Sequence, residues 1–269
     1  MPRSIVAPRA ARTAAAAAAL ALVVVTMLVP GVAAAADEPA ANVVPQHREK
    51  IGVTAAGRAI YVTVRGRSDA AVDVVVVGVI HGNERAGLPI VQRLLGAGVP
   101  RSVRYWLLPA LNIDGQRRNT RQNARGVDLN RNFPYLWRGG GRPFDVYYPG
   151  RSRASEPETR AYMRLVQRVH PDATIWYHQH ARMVIRPDGR WRQALARVYE
   201  RASGLAMRRY PVTGLRGTAS TWQQAEQRRA LALVVELPAG RLSRAAVGRH
   251  ADAVRRLALA AWRDDVRSP

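Results

Sequence analysis

The sequence of 269 residues contains no cysteine. Neither a disulfide framework nor a thiol nucleophile is therefore available, and any catalytic metal must be held by histidine and carboxylate side chains. Acidic residues are also scarce, 19 against 42 basic ones, which gives a formal charge of +23. Arginines supply nearly all of this charge and are scattered along the chain. Such arginines are explained either by attraction of the protein to an anionic envelope polymer or by the preference of a GC-rich genome for arginine over lysine. No motif for binding nucleic acid accompanies them, so nucleic acid is not an expected partner.

The first 36 residues have the pattern of a secretory signal peptide. Three arginines precede an apolar run over residues 13–29, and the small-residue stretch VAAAAD follows. Cleavage is expected after Ala36, where small side chains suit a signal peptidase. The apolar core is short for a membrane span of about 20 residues, so we expect a secreted protein without a membrane span after cleavage. An uncleaved membrane anchor is the alternative.

The rest of the chain is expected to form a flexible leader, residues 37–49, and one catalytic domain, residues 50–269. A strand, helix, strand unit predicts an α/β fold with a partly parallel sheet. Ser155 and Glu158 have the spacing of a capping box at a helix start. The irregular segment 111–154 is long enough to be functional. Hydrophobic patterning predicts strands at 58–64, 72–80, 103–109, 174–178 and 231–237, and helices at 86–95, 157–169, 190–209 and 243–262.

Candidate metal ligands follow a buried strand. His81 and Glu84 lie three residues apart in HGNE, directly after the β-branched run 72–80. Open α/β sheets bind ligands beyond the carboxyl ends of their strands, and an imidazole with a carboxylate can bind zinc. By itself, however, an HxxE pair is more often a surface ion pair.

A third ligand should come from another strand end, because catalytic zinc usually has three protein ligands. His178 closes the apolar strand TIWYH, and His180 follows two residues later. We favour His178 as the ligand, because it ends the hydrophobic run, and expect His180 to support the ligands from behind or to line the pocket. Glu236 lies within the apolar strand LALVVEL, where a carboxylate needs a reason to be buried. It is either a general base acting on a metal-bound water or a core glutamate paired with an arginine.

The segment NTRQNARGVDLNRNFP, residues 119–134, concentrates polar side chains. It contains Arg121, Asn130 and Arg131 together with Asp128. Arginine offers a rigid fork for a carboxylate, and a cation near a scissile carbonyl stabilises a developing oxyanion. The alternative is a basic surface loop.

These pieces, taken in order, resemble the zinc metallocarboxypeptidase family and its bacterial branch of murein peptide amidases. The resemblance implies a three-layer α/β/α sandwich with a mixed, roughly eight-stranded sheet. It also implies one Zn²⁺ per chain on His81, Glu84 and His178. Glu236 would be the general base, Arg121 would polarise the carbonyl, and Asn130 with Arg131 would grip a terminal carboxylate. The matching stretches are VGVIHGNERAG, LNIDG, NTRQNARGVDLNRNFP, YYPGRSRASEPETRA, IWYHQH, GTASTW and VVELPAG.

The sequence departs from the digestive members of that family near Trp222. Counting back from this tryptophan to the position of their mobile tyrosine reaches Thr213, and Tyr210 is only a loose substitute. The residue that lines their side-chain pocket corresponds to Ser220, which indicates a small polar pocket here.

The expected function is therefore a secreted zinc carboxypeptidase or amidase. It would hydrolyse an amide bond next to a terminal residue that bears a carboxylate, with cell-wall peptides as the leading substrate. GxHGNE and DLNR also resemble deacylases of N-acyl amino acids of the aspartoacylase and desuccinylase type, the nearest alternative enzyme. A catalytically inactive basic module that binds the wall is the alternative from another class.

Overall fold

The computed structural model describes residues 44–210 and 214–262. The expected signal peptide, residues 1–36, and the first part of the expected leader lie outside these residues. The leader was expected to extend to Glu49, but a strand already begins at Gln46 and pairs with its neighbour. Residues 46–49 therefore belong to the sheet. No helix among the described residues is long and apolar enough to cross a membrane.

The described strands form one mixed sheet of eight strands in the order β1-β2-β4-β3-β5-β8-β6-β7. The four central strands, β4, β3, β5 and β8, run parallel, while the pairs β1 with β2, β2 with β4 and β6 with β8 are antiparallel. The expected mixed, eight-stranded sheet is confirmed. The strands are β1 (Gln46–Val53), β2 (Ala59–Arg65), β3 (Val72–Val77), β4 (Val103–Leu108), β5 (Ala173–Gln179), β6 (Met183–Ile185), β7 (Met207–Arg208) and β8 (Leu231–Leu237).

Helices cover both faces of this sheet. One apolar cluster packs α1, α4 and α6 against the face that carries Val74 and Val76, and a second packs α3 and α5 against the face that carries Val75 and Val77. The near-continuous valine run of β3 is explained because both of its faces are covered. The three-layer prediction is confirmed. The helices are α1 (Leu88–Leu95), α2 (Ile113–Arg118), α3 (Pro157–Val169), α4 (Arg190–Ser203), α5 (Ala219–Glu226) and α6 (Arg244–Trp262).

Two local predictions were wrong. Helix α4 ends at Ser203, not at residue 209, because Gly204 adopts a left-handed conformation and caps it. The capping box is absent, since Glu156 is the N-cap of α3 and makes no side-chain capping bond. The Ser155 hydroxyl instead donates to Glu156 and accepts a hydrogen bond from the Asn132 amide.

The parallel strands bring three predicted site residues to one edge of the sheet. Val77 of β3 pairs with Trp176 of β5, and His178 of β5 pairs with Glu236 of β8. His81 follows β3 by four residues. The carboxyl ends of β3, β5 and β8 therefore present His81, His178 and Glu236 side by side, as open α/β sheets do at ligand sites.

The fold buries a carboxyl group that should make its stability depend on pH. Glu158 is fully buried, and this burial, assisted by neighbouring Glu156 and opposed by hydrogen bonds from the Ala55 amide and Asn123, raises its pKa to about 7. The folded protein thus holds a proton that the unfolded chain releases above about pH 4.5. Stability linked to Glu158 is complete below that pH and falls as the pH rises towards 7.

We predict that Glu158→Gln flattens this dependence, because an amide cannot ionise. Relative to the variant, the wild type should lose about 3 kcal/mol of unfolding free energy between pH 4.5 and 7. Urea unfolding of both proteins at several pH values measures this difference in unfolding free energy. Parallel stability curves for the two proteins would contradict the assignment.

Candidate active site

His81 and Glu84 lie on the turn that leaves β3. The Glu84 amide donates to the His81 carbonyl oxygen at 3.0 Å, and His81 Nδ1 lies 2.8 Å from Glu84 Oε1. Gly82 between them packs so closely against the backbone of Gly115 that a Cβ would lie 1.9 Å from its carbonyl carbon. Only glycine fits there, so the packing against α2 fixes the turn and with it both candidate ligands.

His178 completes a cluster with these two side chains. Its Nδ1 lies 2.9 Å from Glu84 Oε2 and 3.2 Å from His81 Nδ1. One donor atom from each of the three residues lies within 4.8 Å of the others. Two imidazole nitrogens and a carboxylate directed at one point are a donor set that suits a catalytic zinc with an open position. The three residues therefore fit the metal that the sequence suggested.

His180 stands apart from this cluster. Its side chain is exposed, and it is absent from the described residues that line the cavity over the three candidate ligands. Of the two histidines considered for the third ligand, the structure brings His178 to the site.

Asp128 and Arg121 support the candidate ligands from behind. Asp128, fully buried, lies 3.0 Å from His81 Nε2, and Arg121 donates to Asp128 Oδ2 at 2.8 Å and to Glu84 Oε1 at 3.1 Å. A carboxylate on the second ring nitrogen of a histidine fixes its tautomer and orientation for a metal. No role was predicted for Asp128 from the sequence, although its place in DLNR, beside Asn130 and Arg131, was a usable signal.

The charges in this cluster keep both carboxyl groups ionised. Burial opposes ionisation, but His81 and His178 hold the pKa of the Glu84 carboxyl well below its usual range. For Asp128, burial is likewise outweighed, and His81 and Arg121 hold its pKa well below normal. An ionised pair of carboxylates at the base of a pocket favours a bound cation.

Glu236 faces the same space without a cationic partner. It is 7% exposed, and among the described residues its carboxylate accepts a single, long hydrogen bond, 3.4 Å, from the Ala181 amide to Oε2. No arginine or histidine among the described residues lies within ion-pairing distance of it. The interpretation of Glu236 as a core glutamate paired with an arginine therefore has no support among those residues.

A cavity of about 520 Å³ joins all the predicted site residues. Asn130 is fixed in its wall, because its Oδ1 accepts from the Ala219 amide at 2.9 Å at the start of α5. The Arg131 guanidinium lies 4.8 Å from the centre of the Tyr147 ring, and burial lowers its pKa. The predicted residues on the wall are His81, Glu84, Arg121, Asn130, Arg131, His178, Ser220 and Glu236.

Ser220, the residue that the sequence places in the side-chain pocket, lies in the wall of the cavity together with the apolar Ile185 and Val234. Thr218, Thr221 and Gln224 line it beside Ser220. Tyr210 also lines the cavity, and burial and the nearby Glu236 raise its pKa. Thr213, the position where a mobile tyrosine is missing, lies outside the described residues.

This sheet, with a His–Glu–His cluster and a free glutamate at the ends of its parallel strands, defines a metallohydrolase of the carboxypeptidase type. The model of the zinc carboxypeptidase family matches residues 45–228, and the chain belongs to that family. The family uses Zn²⁺ to hydrolyse peptide amide bonds, and the expected enzyme class is confirmed.

Two curated relatives resemble part of the chain. Murein peptide amidase A of Escherichia coli (strain K12) is 33% identical over 109 residues, which cover 36% of this chain and 45% of that protein. Carboxypeptidase A6 of Homo sapiens is 31% identical over 102 residues, 31% of this chain and 23% of that protein. The chain thus spans less than half the length of these relatives.

Solved structures resemble the chain over more of its length. The murein-tripeptide amidase of Escherichia coli O157 superimposes with a TM-score of 0.61 at 23% identity, over 85% of this chain and 94% of that one. Carboxypeptidase A from Helicoverpa armigera gives 0.70 at 19% identity, over 81% and 68%. At such identities the likeness shows the shared fold.

We predict that the purified protein binds one zinc ion per chain and that His81→Ala and His178→Ala each weaken zinc binding by at least about 100-fold, because each removes a ligand. Mass-spectrometric metal analysis after dialysis measures the zinc content. His180→Ala is the matched control and should keep its zinc. Full zinc in His178→Ala together with loss in His180→Ala would overturn the ligand assignment.

Proposed function

We propose that the chain is a zinc-dependent carboxypeptidase or amidase that removes a terminal, carboxylate-bearing residue from bacterial cell-wall peptides. The observation that carries this proposal is the single cavity in which the His–Glu–His cluster, the unpaired Glu236 and Arg131 face one another. Such a cavity offers a place for the metal, a proton acceptor and a cation for the substrate's end.

Glu236 is the general base in this proposal. His81, Glu84 and His178 would hold the zinc ion, which would supply a Lewis acid for the scissile carbonyl and for the attacking water. Glu236 accepts the proton of that water and passes it to the leaving amine. No described cation pairs with Glu236, so its carboxylate is available to a water in the cavity.

Arg121 stabilises the negative charge that develops on the carbonyl oxygen. Its guanidinium lies at the candidate metal cluster, 3.1 Å from Glu84 Oε1 and 3.2 Å from His81 Nδ1. Asp128 holds it there through two of its nitrogens, at 2.8 and 3.1 Å. A cation fixed in advance at this position needs no reorganisation when charge appears in the transition state.

Asn130 and Arg131 receive the terminal carboxylate of the substrate. Arg131 feels the charge of Asp128 but forms no salt bridge with a described acid. Burial of the guanidinium favours pairing it with an anion brought by the substrate. The Asn130 amide, held by the Ala219 amide, adds a neutral donor on the same wall. The neutral pocket at Ser220 accepts the side chain of the released residue.

Three observations support wall peptides as substrates. The relatives with the names murein peptide amidase A and murein-tripeptide amidase share sequence or fold with this chain. The pattern of the first 36 residues favours secretion. The charge of +23 suits a protein that works beside an anionic envelope polymer. We therefore place the enzyme outside the cytoplasm.

We predict that Glu236→Gln is folded, binds zinc normally and hydrolyses murein tripeptide at least about 100-fold more slowly than the wild type, since the amide cannot accept a proton. Chromatography of the released residue measures the rate. Glu226→Gln, which alters an exposed glutamate outside the cavity, should keep wild-type activity. If Glu236→Gln stays within a few-fold of the wild type, Glu236 is a structural residue.

Arg131 should determine how the enzyme recognises the end of its substrate. Arg131→Ala should lower kcat/KM about tenfold or more for peptides with a free terminal carboxylate, because it removes a charge-assisted hydrogen bond. Peptides amidated at that end should be poor substrates for the wild type and little affected by the change.

Arg93→Ala, at an exposed position on α1, is the control for a simple loss of charge. Equal hydrolysis of free-acid and amidated peptides by the wild type would exclude the carboxypeptidase proposal. Preferred hydrolysis of N-acyl amino acids over peptides would favour the deacylase alternative.

A further inference from the structure

Two further arginines line the cavity and have no role in the mechanism above. Arg138 and Arg216 both belong to its wall. Neither forms an ion pair or a side-chain hydrogen bond with any of residues 44–210 and 214–262, whereas Arg121 in the same wall is engaged by Asp128 and Glu84. Arg131 in the same cavity also forms no salt bridge with a described acid, although the charge of Asp128 acts on it.

The two segments that carry Arg138 and Arg216 are connected by backbone hydrogen bonds. The Phe133 amide donates to the Gly217 carbonyl oxygen at 3.0 Å, and the Gly217 amide donates to the Tyr135 carbonyl oxygen at 3.1 Å. Arg216 is the residue before this glycine, and Arg138 follows the bonded stretch by three residues. The segments that carry Arg138 and Arg216 therefore lie side by side in one wall.

Gly217 allows these two segments to approach each other closely. It has a φ of +62°, and a Cβ there would lie 2.2 Å from the Arg131 carbonyl oxygen. Only glycine allows the second segment to approach the first so closely. The same contact places Arg216 close to Arg131 in the wall.

The two arginines lie at the rim of the cavity. Both are exposed, while Ser220, Thr221 and Gln224 of the same cavity are half-buried and neutral, and His178 and Glu236 are buried. A substrate cleaved at its end must enter end first, so its terminal residue occupies the deep part and the retained part crosses the rim. The charge at the rim therefore faces the retained part of the peptide.

We propose that Arg138 and Arg216 form a second anion site, which binds a carboxylate on the residue retained before the scissile bond. This inference rests on the proposed function, because it assumes that Arg131 takes the terminal carboxylate. It narrows the substrate class to peptides with two carboxylates, one at the end and one just before the cleaved bond. The site would set specificity and take no part in the chemical step.

The test compares two substrates that differ in one group. Murein tripeptide is used alongside its analogue in which the free carboxylate of the residue before the scissile bond is an amide and all carboxylates of the terminal residue are kept. The wild type should have a kcat/KM at least about tenfold higher for the free acid. In Arg138→Ala/Arg216→Ala this preference should fall to about twofold or less, through loss on the acid alone.

Control variants separate this role from general effects of charge. Arg142→Ala removes a charge from the same loop outside the cavity and should keep the preference. Arg131→Ala should slow both substrates alike, and Arg138→Lys/Arg216→Lys should restore part of the preference. An acid preference that is the same in the double alanine variant and the wild type would overturn the second anion site.

A binding measurement distinguishes failure of this inference from failure of the proposed function. Calorimetry with zinc-loaded Glu236→Gln, with and without the two rim arginines, gives the affinity for both peptides. The wild type could hydrolyse neither peptide while Glu236→Gln binds the acid at least tenfold more tightly than the amide, and only when Arg138 and Arg216 are present. In that case the anion site stands and the proposed reaction fails. Equal binding of acid and amide excludes the anion site.

Discussion

The buried, ionised carboxylate of Glu84 is the group on which the site depends. It contacts the rings of His81 and His178 and accepts from Arg121 and from the Gln179 amide at 3.1 Å. These partners come from the end of β3, the end of β5 and the loop before Asp128. A charge with so little solvent is tolerated only when such partners satisfy it. The three segments are therefore held in one arrangement, and that arrangement is the metal site.

Around Glu84, the charged side chains at this edge of the sheet form two groups, those that are paired with other described side chains and those that are not. Asp128 and Arg121 continue the network behind His81, while Glu236 stands across the cavity without a described cation. The engaged charges fix positions, and the unengaged ones are free to meet a substrate. This contrast between Arg121 on one side and Arg131, Arg138 and Arg216 on the other is what the proposals for substrate recognition rest on.

Much of the fold could be predicted from the sequence, because the central strands are long, apolar runs. Strand β8 was predicted with its observed bounds. Strand β3 could be predicted because burial of both its faces requires a near-continuous apolar run in the sequence. Strands β6 and β7, with three and two residues, are too short to show alternation. Helix α5 was missed because it is short and mostly polar. The end of α4 was missed although Gly204 supplied the signal.

For the site, sequence spacing was enough to propose His81, Glu84, His178 and Glu236, since strand ends converge in an α/β sheet. The contact of Asp128 with His81, across 47 residues, depends on how the loop folds back and could not be read from spacing. The capping box failed for a similar reason, because Asn132 takes the Ser155 hydroxyl that would have capped α3.

Anomalous diffraction at the zinc absorption edge, from crystals grown with zinc, tests the central claim most directly. We expect one strong peak per chain, within bonding distance of His81 Nδ1, His178 Nδ1 and the Glu84 carboxylate, and facing Glu236. A peak bound through His180, or zinc bound away from this cluster, would contradict the account.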